Sequence, residues 1–140
     1  MSYTGRCACG SVTLAIAGEA LAARECWCRQ CQRIAAGGPT HNALFRTEDV
    51  TIEGPLLAHS YTAASGNTIE QAFCPTCGTP VTGQSSARPQ FRVVRFGVID
   101  EPHDLRPLMA IWTEDAPAWA VIDPAMERYE RQPPPPQSRD

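Results

Sequence analysis

The sequence predicts a mainly-β domain organised around cysteine-bound metal, with few and short helices. Three observations carry that expectation. Thirteen prolines and ten glycines in 140 residues interrupt the chain too often for long helices and favour short strands joined by turns. Several short segments alternate apolar and polar residues with period two, the pattern of a strand with one buried face. Seven cysteines fall in three tight clusters, and clusters of reduced thiols signal metal more often than disulfides.

The elements follow in order. Residues 11–16 place Val12, Leu14 and Ile16 on one face, a half-buried strand. Further strands are predicted at 42–45, 50–52, 56–61, 68–73, 80–83, 91–98 and 108–112. The segment 91–98 is apolar on both faces, which fits a central strand. Turn residues separate these pieces at Gly37-Gly38-Pro39, Gly54-Pro55, Ser65-Gly66-Asn67 and Glu101-Pro102. Only 30–36 and the stretch after Asp123 read as short helices. One domain is expected over 1–132, long enough for a modest core. The tail, 133–140, opens with four prolines and ends in polar residues, a composition that predicts disorder.

Composition excludes several functions. The formal charge is −3, and thiolates on divalent metal would make the chain more acidic, so nucleic acid is not an expected partner. All twelve basic residues are arginine. Without lysine there is no Schiff base and no pyridoxal-phosphate anchor, and no G-x-x-x-x-G-K-[ST] phosphate loop exists. No apolar run approaches the ~20 residues that a membrane span requires, and Cys7 follows the start with no apolar leader. The expected setting is the cytoplasm, with no membrane partner. An odd number of cysteines also rules out a complete disulfide set within one chain.

How the seven divide decides the chemistry. The clusters are Cys7 and Cys9, then Cys26, Cys28 and Cys31, then Cys74 and Cys77. Gly10 and Gly78 directly follow the first and third clusters, as suits a knuckle that turns sharply beneath a metal. This groups Cys7, Cys9, Cys74 and Cys77 as a closed four-thiolate zinc site, structural in role and a source of folding energy. A competing division pairs Cys28 and Cys31 with Cys74 and Cys77 as a zinc ribbon; spacing permits it, but it strands Cys7, Cys9 and Cys26.

In the first division, Cys26, Cys28 and Cys31 supply three ligands and leave a fourth position exchangeable, the signature of a working zinc. Three thiolates over-neutralise Zn²⁺ and make it a weak activator of water. Such a site suits the capture of a fourth thiolate, so the expected substrate is a small thiol. Free or loosely metallated thiols are the plainer alternative for this triad.

The motifs G-x-C-x-C-G-x-V at 5–12, C-x-C-x-x-C-Q at 26–32 and F-C-x-x-C-G-T at 73–79 resemble those of the glutathione-dependent formaldehyde-activating enzyme family, the CENP-V/GFA domain. The resemblance runs on through Gly97, Asp100 and Pro102 to Pro117 and Trp119, and covers nearly the whole chain. It implies a tent of small antiparallel sheets, a structural zinc on Cys7, Cys9, Cys74 and Cys77, and a second, more labile zinc on a catalytic triad of Cys26, Cys28 and Cys31. The implied activity joins glutathione to formaldehyde, giving S-hydroxymethylglutathione, and is classed with the carbon–sulfur lyases. Glu25 departs from the family pattern, which often has histidine before the triad. The runner-up is a non-enzymatic zinc-binding or redox-sensing module. A methionine sulfoxide reductase of similar fold would need a further cysteine, and none follows Cys77.

Glutathione carries two carboxylates, which arginine binds bidentately. Arg29 and Arg33 flank the triad and Arg95 lies in the 91–98 segment; each is a candidate contact, with a solvated surface arginine as the alternative. Trp27, between two ligands, would shield the metal from water. Trp112 and Trp119 read as core or interface residues, and Asp100 as a turn after a strand. His41, His59 and His103 read as turn or surface residues, His41 being the outside candidate for a fourth ligand. An exposed apolar sheet face would point to a homodimer.

Overall fold

The computed structural model describes residues 2–136. In chain order its strands are β1 (Tyr3–Arg6), β2 (Thr13–Ile16), β3 (Ala22–Cys26), β4 (Thr40–Arg46), β5 (Val50–Glu53), β6 (Leu57–Thr62), β7 (Thr68–Phe73), β8 (Pro80–Ser85), β9 (Phe91–Arg95), β10 (Met109–Ile111) and β11 (Glu127–Arg128). The helix α1 (Arg29–Ile34) lies between β3 and β4, and short 3-10 turns punctuate the rest. The mainly-β class is the observed one.

Two sheets form. The smaller has the order β1-β2-β5 and is antiparallel throughout. The larger runs β11-β10-β3-β4-β9-β8-β7-β6. It is antiparallel except at one edge, where β10 lies parallel to both β3 and β11. The core fills the space between the sheets. Val12 and the alternate residues Leu14 and Ile16 of the hairpin are buried against Ala43, Phe45, Val81 and Val94 of the larger sheet. Phe45 is fully enclosed and meets Tyr3 edge-on at 5.7 Å; truncating such a ring to alanine costs about 3–5 kcal/mol. Cys7 and Cys74 belong to the same cluster, so a cysteine group grows directly from the rim of the core.

The structure departs from expectation at four places. β1 and β3 form where no strand is predicted. β9 does lie inside the larger sheet, between β4 and β8, but it ends at Arg95. Phe96–Val98 instead makes a 3-10 turn closed by Ile99 N–H donating to the Phe96 carbonyl at 3.1 Å. The stretch after Asp123 is not a helix. Asp123 caps a single turn, its Oδ1 accepting from Ala125 N–H at 2.9 Å. Tyr129 N–H then donates to the Ala110 carbonyl at 2.9 Å, and pairing with β10 wins over the Asp-Pro helix start. Of the tail, 133–136 is described and Pro133 is buried; 137–140 lies outside the described residues. Among the described residues no helix is long and apolar enough to cross a membrane.

Candidate metal centres

Two knuckles share one backbone form. Cys7 N–H donates to Val12 O at 3.0 Å and Gly10 N–H to Cys7 O at 3.2 Å; likewise Cys74 N–H donates to Thr79 O at 3.0 Å and Gly78 N–H to Cys74 O at 2.8 Å. Gly10 and Gly78 sit at φ 81° and 77°, where a Cβ would be strained. Ala8 N–H donates to Thr79 Oγ1 at 3.1 Å, which joins the β1–β2 knuckle to the β7–β8 knuckle. The sulfurs of Cys7, Cys9, Cys74 and Cys77 all lie within 4.8 Å of one another. Cys7 and Cys9 are 3.6 Å apart and Cys9 and Cys74 3.8 Å apart. A tetrahedron with Zn–S bonds of about 2.3 Å has edges of about 3.8 Å, so donor type and spacing fit that metal.

Each knuckle contributes one buried sulfur (Cys7, Cys74) and one exposed (Cys9, Cys77). Ser11 Oγ lies 3.0 Å from Cys9 Sγ and 3.3 Å from Cys74 Sγ. The Thr79 hydroxyl and N–H pull the Cys77 thiol down to about 5. Burial works against ionising Cys7, but Val12 N–H, Cys9 and Cys74 outweigh it and bring the thiol down to about 7. These donors favour thiolates, the form a metal takes.

The other three cysteines gather locally. Cys26 ends β3, Cys28 caps α1 with its sulfur accepting Cys31 N–H at 3.3 Å, and Cys31 lies in the helix. Their sulfurs lie within 4.8 Å of one another, and among the described residues no further cysteine, histidine or carboxylate joins them. The ribbon pairing of Cys28 and Cys31 with Cys74 and Cys77 does not form. Hydrogen bonds from Cys26 and Cys28, then from Thr40, favour the Cys31 thiolate and carry its pKa down to about 3. Cys26 moves up, because its hydrogen bonds to Cys28 and Cys31 hold its proton and burial adds to them. The donor set is soft, compact and partly ionised, as a thiophilic metal requires.

Packing fixes this loop. Gln32 is buried, and its Nε2 donates to Trp27 O at 2.7 Å and to Asp115 O at 2.9 Å. Trp27 is 2% exposed, its backbone N–H donates to Ile111 O at 3.0 Å, its indole Nε1 is buried without a partner, and Trp119 meets it edge-on at 6.4 Å. Ile111, Met109 and Tyr129 pack beside the sulfurs.

A polar face of the larger sheet adjoins the triad. Register sets Cys26 opposite Thr40, Arg24 opposite Asn42, and Asn42 opposite Arg95. Asn42 Nδ2 donates to Thr40 Oγ1 at 2.9 Å. Arg95 donates to Asn42 Oδ1 at 2.6 Å and to Gln71 Oε1. Beside them a cavity of about 410 Å³ is lined by Arg95, Thr40, His41, Ile34 and Phe96 among others.

The three arginines predicted as contacts are placed differently. Arg95 is buried at this face. Arg29 is exposed and donates to Gln32 Oε1, and Arg33 is exposed at the end of α1. His41 stays outside the triad and lies 3.7 Å from the buried Glu25. Burial pushes the Glu25 carboxyl up and the His41 imidazole down. His59 stacks on Tyr61, and His103 packs edge-on against Phe96. Arg24, Thr40, Asn42, Gln71 and Ser11 are residues of these sites that sequence reasoning missed. The spacings Arg24-x-Cys26 and Thr40-x-Asn42 would have put the first three on one face had β3 been recognised and the strand predicted at 42–45 been begun at Thr40.

The sequence profile of one family, glutathione-dependent formaldehyde-activating enzyme, matches residues 2–115. Among solved structures the chain is similar to a Rhodobacter sphaeroides protein studied as a structural-genomics target. The two are 24% identical with a TM-score of 0.57, over 72% of this chain and 90% of that one, a likeness of fold. No curated protein sequence matches the chain.

Proposed function

The chain belongs to the glutathione-dependent formaldehyde-activating enzyme family, and from that premise we propose that it joins a small thiol such as glutathione to formaldehyde or a related aldehyde. The site is Cys26, Cys28 and Cys31, and the class is that of the carbon–sulfur lyases acting toward synthesis. One observation carries this reading: three sulfurs lie within 4.8 Å with no fourth protein ligand among the described residues, next to a buried polar face.

The triad would hold the second of two zinc ions, and zinc bound there would keep an incoming sulfur deprotonated at neutral pH. The chain's own groups do the rest. Thr40 and Arg95 favour the ionised Cys31 sulfur. Trp27 and Ile111 keep water from one side of the cluster. Arg95 faces the substrate, whereas Arg29 and Arg33 stand outside on α1. In the reaction the thiolate sulfur bonds to the carbonyl carbon, the C=O π pair moves to oxygen, and that oxygen takes a proton from water. Cys7, Cys9, Cys74 and Cys77 would hold the first zinc, closed and structural. The reading suits the reducing cytoplasm, where free cysteines persist.

Exchange NMR with ¹³C-formaldehyde and glutathione tests it. The zinc-loaded protein is expected to accelerate formation of the thiohemiacetal above the spontaneous rate, and Cys28→Ser to abolish the acceleration. A rate equal to the spontaneous one, with zinc retained in the triad, would leave a non-enzymatic zinc or redox module.

A further inference from the structure

A guanidinium donates hydrogen bonds and accepts none, and that one-way property orients everything around Arg95. It donates to Asn42 Oδ1 at 2.6 Å and to Gln71 Oε1, so each amide is left with its NH₂ group facing away from the arginine. Asn42 Nδ2 donates to Thr40 Oγ1 at 2.9 Å. The Thr40 proton is then free for the Cys31 sulfur, whose thiolate it favours. Gln71 bonds in the same manner to the Tyr61 hydroxyl and favours its ionised oxygen, as a donor does. Two arms thus run from one buried cation, and each ends in a hydroxyl whose oxygen accepts and whose proton is left over. The first proton has the triad to go to. The second has no acceptor among the described residues. Both other tyrosines are engaged: Tyr3 donates to Asp104 Oδ1 at 3.0 Å, and Tyr129, packed beside the triad, donates to Glu127 Oε2 at 3.1 Å.

Tyr61 is half-buried on β6 and stacks on His59 at 6.5 Å. It pairs with Ile69, two residues before Gln71, so alternation puts it on the face that carries Gln71. Gly83, paired with Gln71, keeps the way between Gln71 and Arg95 clear. A Cβ there would stand 3.3 Å from Gln71 Oε1 and 3.4 Å from Arg95 Nη2. Five steps separate β3 from β6 in the order of the larger sheet, about 24 Å if the sheet were flat. A charge in salt solution is felt over about 8–10 Å, yet the sulfurs of Cys28, Cys31 and Cys26 all act on the Tyr61 phenol. The sheet therefore coils with its twist and brings β6 round to face the triad.

We propose that Tyr61 is a further catalytic residue, donating its hydroxyl proton to the carbonyl oxygen while a thiolate at the triad adds to the carbonyl carbon. This rests on the triad being the site of carbon–sulfur bond formation, as proposed above, and it supplies the proton donor for that step. The S–C bond forms, the C=O π pair moves to oxygen, and that oxygen takes the Tyr61 proton; water then restores the phenol. Transfer in this direction is favourable, because an alkoxide is a stronger base than a phenolate. Burial raises the phenol's pKa and Gln71 offsets only part of the rise, so Tyr61 carries its proton at neutral pH. Arg95 acts on this step through Gln71 and is a positioning residue: it turns the amide, and the amide turns the hydroxyl.

The full-length, zinc-loaded chain and its Tyr61→Phe variant are compared by exchange NMR with ¹³C-formaldehyde and glutathione. Zinc content by mass spectrometry and glutathione affinity by calorimetry are measured alongside. General acid catalysis contributes about 10²–10⁴-fold, so Tyr61→Phe is expected to lower kcat by about a hundredfold or more while zinc content and glutathione affinity stay at the wild-type values. A variant with the wild-type kcat overturns the proposal. So does one whose loss follows the loss of triad zinc, or shows only as a raised KM. If the wild type itself gives no more than the spontaneous rate, the triad reading falls and the proton donor falls with it. A fast wild type with an equally fast variant sinks the donor alone. Should Tyr61→Phe fail to fold, Tyr61→3-fluorotyrosine decides in its place. That phenol keeps its shape but is more acidic, and it is expected to move the basic limb of the kcat profile to lower pH; an unmoved limb ends the proposal.

Discussion

The two cysteine groups use the same side chain for opposite structural ends. Cys9 and Cys74 meet across 65 residues of sequence, and their group fastens the β1–β2 hairpin of the small sheet to the β7–β8 hairpin of the large one. The triad lies within six consecutive positions, on the end of β3 and the start of α1, and ties nothing distant together. The first group shares Cys7 and Cys74 with the core; the second has its own small cluster with Ile111. A ligand set assembled from remote segments is paid for by the fold it closes, whereas a local set is free to lose or exchange its metal. In the proposed reading, distribution along the chain, more than ligand identity, is what would separate the structural centre from the working one.

That contrast is broken most directly at Cys77. Structural zinc in small domains binds with about 10–16 kcal/mol, which matches or exceeds a typical folding stability of about 5–15 kcal/mol. Cys77→Ser is therefore expected to leave the chain unfolded by circular dichroism. A folded Cys77→Ser protein would remove the distinction. Next comes Cys28→Ser, expected to lose about half the bound zinc by mass spectrometry while Tm falls by about 5 °C or less. Third, millimolar glutathione followed by desalting should lower zinc from about two ions per chain to about one, because an incoming thiolate competes only at an open site; retention of both would mark the triad as closed.

The smallest effect lies on the hairpin side alone. Burial, then the hydrogen bond from Tyr3 to Asp104 Oδ1 at 3.0 Å, raises the Tyr3 phenol to about 12. A raised phenol stabilises the fold below its ordinary pKa of about 10, and that contribution is lost as pH rises through 10 toward 12. Denaturant midpoints measured across this window should fall for the wild type and fall less for Tyr3→Phe.

Much of this was legible in the residues. Val12, Leu14 and Ile16 alternate cleanly, and β2 buries them as that pattern dictates. The glycines after Cys9 and Cys77 announce a positive φ, and both are found there. β3 was not legible: Ala22, Ala23, Arg24, Glu25 and Cys26 include no β-branched or aromatic residue and carry two charges that a core strand normally avoids. Tertiary pairing with β4 and β10 imposes the strand, and it does so where Arg24 and Cys26 join the polar face beside the triad. Local propensity fails most readily at such positions. Thr40 and Asn42 were invisible for the same reason, since their meaning lies in register with β3 rather than in any nearby motif.

The parallel contact between β10 and β3 has a consequence for the order in which the chain is made. As synthesis proceeds, β3 acquires β4 early on one side, but its other side has no neighbour until Met109–Ile111 emerges much later. For most of translation the segment leading into the triad is an open edge, and Arg24 and Glu25 are the kind of charged residues that deter such an edge from pairing with another chain. A chain halted before residue 109 would present that edge beside three free cysteines, so the last strands to be made are also the ones that cover the segment leading into them.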